Sequence, residues 1–321
     1  MAHRLSVRED YQLFATPPRR VGVETYADNF LMRYVYPGGH PADISRYWMD
    51  RFGADPELSM AISSGIGVFS MRTGHDYTAA WEEMRNRHHI SQLASRVAGQ
   101  VVERLAFLED AHDGRLDVSD ARREWNQARS RRLAQEERRS HEVSKAENLS
   151  DEFFRLILDI SHQAWYQVIN SITPLRYGDE TWQLALPVPK HISKTIGRGE
   201  ADVLGISKHT DQSVLMDIKC NQYSICRRSS APWSPKNQAQ LLMYFIIISL
   251  SHLLDEDCEL PQPTTLVAVN PMRGVMEFIK PEVLLQEVQV LRTLATKAFC
   301  LDAQLVERLI AYLVDVLADA V

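Results

Sequence analysis

Residues 212–222 read QSVLMDIKCNQ and place an aspartate, Asp217, and a lysine, Lys219, two positions apart inside an apolar run. A buried strand normally excludes both charges, because each is costly to take out of water unless something pairs with it. Strand side chains alternate between faces, so Asp217 and Lys219 project to one side. Val214, Met216 and Ile218 take the other side and can pack in a core. Fifteen residues before Asp217, GEADVLG carries Asp202 in a second strand-like run, close enough in sequence to be the antiparallel neighbour. Two carboxylates converging from adjacent strands make a hard, oxygen-rich site suited to Mg²⁺. A lysine beside them could orient an attacking water or stabilise charge on a phosphate.

An acid two residues before a lysine is a weak signal alone. With 42 acids and eight lysines in 321 residues, about one such match is expected by chance. An ion pair at a sheet end explains the isolated pair equally well. Context adds weight. From Lys190 to Lys236 there are eight Lys/Arg against four acids, a basic segment in a chain of net charge −6. That is where an anionic ligand would be steered. In the run that follows, QLLMY sets Gln240 and Tyr244 one helical turn apart on one face.

The elements around these residues can be read in outline. Before residue 90 the chain is mixed and aromatic-rich, with turn signals at PPRR, YPGGHP and SSGIG. From Ile90 a helical period begins, with Val97, Val101, Leu105 and Leu108 at three- to four-residue spacing. The Arg/Glu-rich stretch at about 115–148 has few core residues and reads as an exposed helix or helical arm. Ser150 is placed to cap a helix running to about Asn170, with Asp151 and Glu152 in its first turn. TWQLALPV, GEADVLG, SVLMDIKC and TTLVAV then read as strands, with NQAQLLMYFIIISLSHLL as a buried helix before the last of them. The end, from Pro281, reads as two amphipathic helices. This order predicts an α/β or α+β core with helical additions.

The longest apolar stretch, Ala239–Leu254, is interrupted by Gln240, Ser249, Ser251 and His252. It is shorter than a membrane span requires, so no membrane partner is expected. The start, MAHRLSVREDYQ, has no apolar leader region. Cys220, Cys226, Cys258 and Cys300 show no C-x-x-C spacing, which fits free thiols in a reducing cytoplasm better than zinc or disulfides.

Together, the strand aspartate, the D-x-K strand and the Q-x-x-x-Y helix resemble, in type and order, the PD-(D/E)xK nuclease superfamily and its RecB-like exonuclease group. The resemblance covers roughly residues 90–280. It implies a restriction-endonuclease-like core, a central mixed sheet flanked by helices. Residues 91–321 would form this nuclease domain, with a helical insertion at about 115–148 and an N-terminal accessory segment at 1–90. It further implies a Mg²⁺- or Mn²⁺-dependent nuclease, acting on DNA in preference to RNA, with Asp202, Asp217 and Lys219 catalytic. Asp202, Asp217 and the carbonyl of Ile218 would hold the metal, joined by Glu103, which follows Gly99 on the upstream helix. Glu103 stands where the RecB-like group more often has histidine, and an exposed helix residue remains the alternative. Gln240, Tyr244, Lys236, Arg227 and Arg228 would meet the substrate. Alanine precedes Asp202 where the family name has proline. The cluster cysteines of some RecB-like nucleases are not reproduced, so no iron–sulfur cluster is expected. The alternative function is a catalytically inactive nucleic-acid-binding or assembly protein with the same fold, with the N-terminal segment available to a protein partner.

Overall fold

The apolar alternation around Asp217 forms strand β7 (Ser213–Ile218), one of the two middle strands of a six-stranded mixed sheet. The computed structural model of the chain describes residues 21–22, 69–90, 92–108, 115–135, 149–174, 184–186, 196–220, 235–254, 258–299 and 301–321. The sheet runs β2 (Phe69–Arg72), β9 (Val275–Ile279), β8 (Thr265–Asn270), β7, β6 (Val203–Ser207), β3 (Ile172–Pro174). β7 pairs antiparallel with β6 and parallel with β8, and the remaining pairs are antiparallel. A smaller sheet joins β1 (Val21–Gly22), β5 (Ile196–Ala201) and β4 (Leu184–Leu186) in the order β1-β5-β4.

Every residue of β7 is buried, because helices cover both faces of the sheet. On one face Val203, Val214, Met216, Ile218, Val267 and Val269 pack with Val168 and Ile172. Val168 lies on helix α4 (Asp151–Ser171), which Ser150 caps by accepting from the Phe153 backbone N–H at 3.3 Å. On the other face Leu204, Leu215, Leu266 and Ile279 join the core built by α5 (Pro235–Leu254) and the C-terminal helices. Those are α6 (Pro281–Gln286), α7 (Val288–Thr293), a π-helical stretch at Leu294–Ala298 and α8 (Ala303–Ala318). Among the described residues no helix is long and apolar enough to cross a membrane.

Several elements differ from the sequence reading. GEADVLG is not one strand: the chain bends at Asp202, leaving β5 in the small sheet and β6 in the large one. Strands β2, β3 and β9 were not anticipated: β2 and β3 are short edge strands with little internal periodicity, and β9 is a five-residue run, VMEFI, with an acid in its middle. Residues 69–90 supply β2 to the main sheet, and Trp81, on α1 (Thr78–Arg87), packs against Phe153. The Arg/Glu-rich stretch is also less exposed than its composition implies. Within it, α3 (Val118–Gln135) buries Ala121 and Trp125 against α4 and α2 (Gln92–Ala106). Residues 136–148 lie outside the described residues.

The β8–β9 turn is tied to the segment after β2. Gly274 accepts from the backbone N–H groups of Thr73 (2.8 Å) and Gly74 (3.1 Å). Gln163 on α4 clamps the same segment, accepting from the His75 backbone N–H at 2.6 Å and donating to its carbonyl at 2.8 Å. Gly274 has φ +63°, and a Cβ there would stand 2.4 Å from the carbonyl oxygens of Gly74 and His75. Gly274→Ala should therefore lower stability by more than the roughly 1–3 kcal/mol of its dihedral strain, because backbone must also move. Thermal unfolding of that variant checks this, and an unchanged midpoint would show that the turn is not tightly held.

Candidate functional site

The site is assembled where β7 ends. The β6–β7 ladder ends at Val203 and Met216, and just beyond it the Asp202 carboxyl hydrogen-bonds that of Asp217. Asp202 is held there by one strong contact: its Oδ2 accepts from the Ile218 backbone N–H at 2.6 Å. Asp217 shares a face with Leu215, turned toward α5. Lys219 continues the ladder, its N–H donating to the Val269 carbonyl at 2.8 Å. Its ammonium donates back to Asp217, at 3.1 Å from Oδ1 and 2.9 Å from Oδ2. Asp217 is 2% exposed and Lys219 22%, so the pair is buried at one end and reachable at the other.

Glu103 joins from almost a hundred residues upstream. Gly99 lies against Cys220, where an added Cβ would stand 3.5 Å from the cysteine's own Cβ. One turn later on the same face, the Glu103 carboxyl interacts electrostatically with Asp202 and Lys219 and hydrogen-bonds the Asp202 carboxyl. On the opposite side α5 presents Gln240, whose Nε2 donates to Tyr244 Oη at 2.9 Å. Both residues are 3% exposed, so Tyr244 does not offer an open ring face for a base to stack on, as a substrate role would require. Its hydroxyl instead feels the charges of Asp217, Asp202 and Lys219. Lys236 begins α5 with its side chain outside the described residues, as are Arg227 and Arg228 altogether. Two buried acids were passed over in the sequence: Glu124, ion-paired with Arg104, and Glu277 in VMEFI, which carries the same signal as Asp217, an acid within an apolar strand.

Three carboxyl groups face one ammonium here, and burial sharpens the imbalance. Burial raises Asp202 well above the carboxylate range and Glu103 adds to it, against the opposing pull of Lys219 and the Ile218 N–H. Burial pushes Asp217 up to about 7, opposed by Lys219 and reinforced by Asp202. For Lys219 burial acts against the charge, but Asp217, Asp202 and Glu103 outweigh it and hold the ammonium above the ordinary lysine range. The Cys220 thiol is pushed up by burial and by Glu103, which disfavours its thiolate.

These shifts predict a stability effect. The folded chain holds the Asp217 proton more tightly than the unfolded chain, whose aspartate titrates near 3.8. The stability from the neutral carboxyl is complete below that value and is lost as pH rises through about 7. The neutral variant Asp217→Asn escapes this loss. In EDTA its thermal midpoint should gain on wild type from pH 5 to pH 8, and a constant difference across that range would contradict the buried-charge account.

The donor set of Glu103, Asp202, Asp217 and the Ile218 carbonyl is all oxygen, and its excess negative charge fits a hard divalent cation. In the arrangement described, Asp217 is turned onto Lys219 and Asp202 onto the Ile218 N–H. Among the described residues no group of three or more His, Cys, Asp or Glu side chains is placed to hold a metal ion. No family model, no curated protein and no solved structure matches the chain.

Proposed function

We propose that the chain is a divalent-metal-dependent nuclease that hydrolyses phosphodiester bonds, with DNA the favoured substrate. The observation that carries this reading is the convergence of Glu103, Asp202 and Asp217 on Lys219 at one strand end. Supporting the restriction-endonuclease-like form of the core are the antiparallel β6–β7 pair, with Asp217 on β7 and Asp202 at the bend that leads into β6, and the parallel β7–β8 pair that α5 links.

In this reading Glu103, Asp202, Asp217 and the Ile218 carbonyl hold Mg²⁺ or Mn²⁺. A bound cation supplies Lewis-acid polarisation of the phosphate and a water of lowered pKa. Lys219, kept protonated by the surrounding carboxylates, stabilises the negative charge that grows on phosphate oxygens during attack. The buried Ile218 N–H, bonded to Asp202, fixes that carboxylate so that little reorganisation is needed. Tyr244 and Gln240 brace one another beneath the site rather than stacking on a base.

A second reading is favoured by one specific observation. Both oxygens of Asp217 already lie within ion-pair distance of Lys219, which fits a catalytically silent protein that binds nucleic acid or assembles with a partner. Purified full-length chain incubated with labelled single- and double-stranded DNA and RNA, with Mg²⁺, Mn²⁺ or EDTA, separates the two. Cleavage that requires the divalent ion supports the nuclease, and binding without cleavage under every condition supports the silent protein.

A further inference from the structure

Both oxygens of Asp217 hold the Lys219 ammonium, at 3.1 Å from Oδ1 and 2.9 Å from Oδ2. A cation bound by Asp217 takes those oxygens and repels the ammonium, so Lys219 needs another acceptor once the site is filled. The helix over this face carries one. Gln240 is 3% exposed, and its Oε1 is buried with no hydrogen-bond partner among the described residues. The other end of the same amide is satisfied, Nε2 donating to Tyr244 Oη at 2.9 Å. A buried acceptor left unmet is costly unless a donor reaches it in some state of the protein.

Topology brings that oxygen to the level of Lys219. β7 and β8 are parallel and α5 joins them, so α5 runs back against β7, with its first turns at the end of β7 where the site lies. Lys219 lies two strand residues beyond Asp217 on the same face, a step of about 7 Å. Gln240 lies four helical residues before Tyr244 on one helix face, a step of about 6 Å. The two steps point the same way along the sheet and nearly match in length. Tyr244 marks the level of Asp217, since its hydroxyl feels that charge more than those of Asp202 or Lys219. Gln240 then stands over Lys219.

We propose that Gln240 is the positioning residue for Lys219: when a cation takes Asp217, the ammonium moves to Gln240 Oε1. This rests on the nuclease reading and deepens it. An amide oxygen is neutral, so it fixes the ammonium without cancelling its charge, which stays available to the phosphate. The flexible four-carbon stem of lysine permits the move, and Tyr244 holds the amide from its other end.

Titration calorimetry of the full chain with Mn²⁺ alone tests this. Gln240→Met keeps the length and bulk of the side chain and removes the acceptor. It should weaken Mn²⁺ binding about tenfold, because the displaced ammonium has lost its hydrogen-bond partner. In a Lys219→Met background the same change should alter Mn²⁺ affinity by less than about twofold, since no ammonium needs a new place. Tyr244→Phe removes the hydroxyl but keeps Oε1, and should also stay within about twofold of wild type. With labelled DNA, Gln240→Met should lower kcat and leave KM little changed. If circular dichroism shows that Gln240→Met does not fold, Gln240→Asn, whose amide falls one methylene short, gives the same comparison. Equal weakening in both backgrounds would assign Gln240 to structure and overturn the inference, with the nuclease reading intact. So would wild-type Mn²⁺ affinity in Gln240→Met, or an equal loss in Tyr244→Phe. No Mn²⁺ binding by wild type would overturn both.

Discussion

Asp217→Asn is expected to lower divalent-dependent cleavage by about three orders of magnitude or more, because transition-state electrostatics in a buried site are that sensitive to one group. The amide keeps the shape of the carboxylate but is neutral and a much weaker ligand for a hard cation. The fold should survive, since Asp217 sits in a strand whose other residues are buried apolar groups and Ser213, with helices over both faces. Removing a buried charge should, if anything, raise the midpoint in EDTA above neutral pH. Cleavage rates under single-turnover conditions, with circular dichroism as the control for folding, check both parts. A folded variant with wild-type cleavage would remove Asp217 from the chemistry and leave an ion pair in its place.

Lys219→Met should separate chemistry from architecture. Methionine keeps the apolar stem and deletes the ammonium that faces Glu103, Asp202 and Asp217. If Lys219 stabilises developing phosphate charge, cleavage falls by about 10²–10³-fold with Mn²⁺ binding retained. The stability cost has its own signature. Breaking a buried pair costs roughly 3–5 kcal/mol when the stranded charge cannot escape. Here Asp217 can take up a proton, since burial already raises it to about 7. Destabilisation should therefore be large at pH 8 in EDTA, small at pH 5, and relieved by a divalent cation. A variant that is destabilised equally at both pH values, yet cleaves normally per folded molecule, would assign Lys219 to structure alone.

How much of this site was legible before the fold is a matter of range. The Asp217/Lys219 alternation follows from strand geometry, and Val214, Met216 and Ile218 do pack on the opposite face as that geometry requires. The Ser150 cap was equally plain, because a cap is decided by four consecutive residues. The Gln240–Tyr244 pairing came from helical spacing, and the two side chains do bond. Their burial did not come from spacing: an amphipathic pair looks the same whether its face meets solvent or a sheet. The same limit hid the packing of Trp125, whose helix is charged enough to pass for a solvated arm.

Periods of two and 3.6 residues are local, and they determined which side chains share a face. Tertiary structure alone decided which faces meet. Asp202 reaches Asp217 through a bend that hands the chain from one sheet to another, a change of partner that no run of six residues encodes. Glu103 arrives on a helix almost a hundred residues upstream, placed by packing of Gly99 against Cys220. Glu277 falls in line with Asp217 only because β8 runs parallel to one neighbour and antiparallel to the other. Register between distant strands is set by which apolar faces are buried together, and that is a property of the whole packed chain.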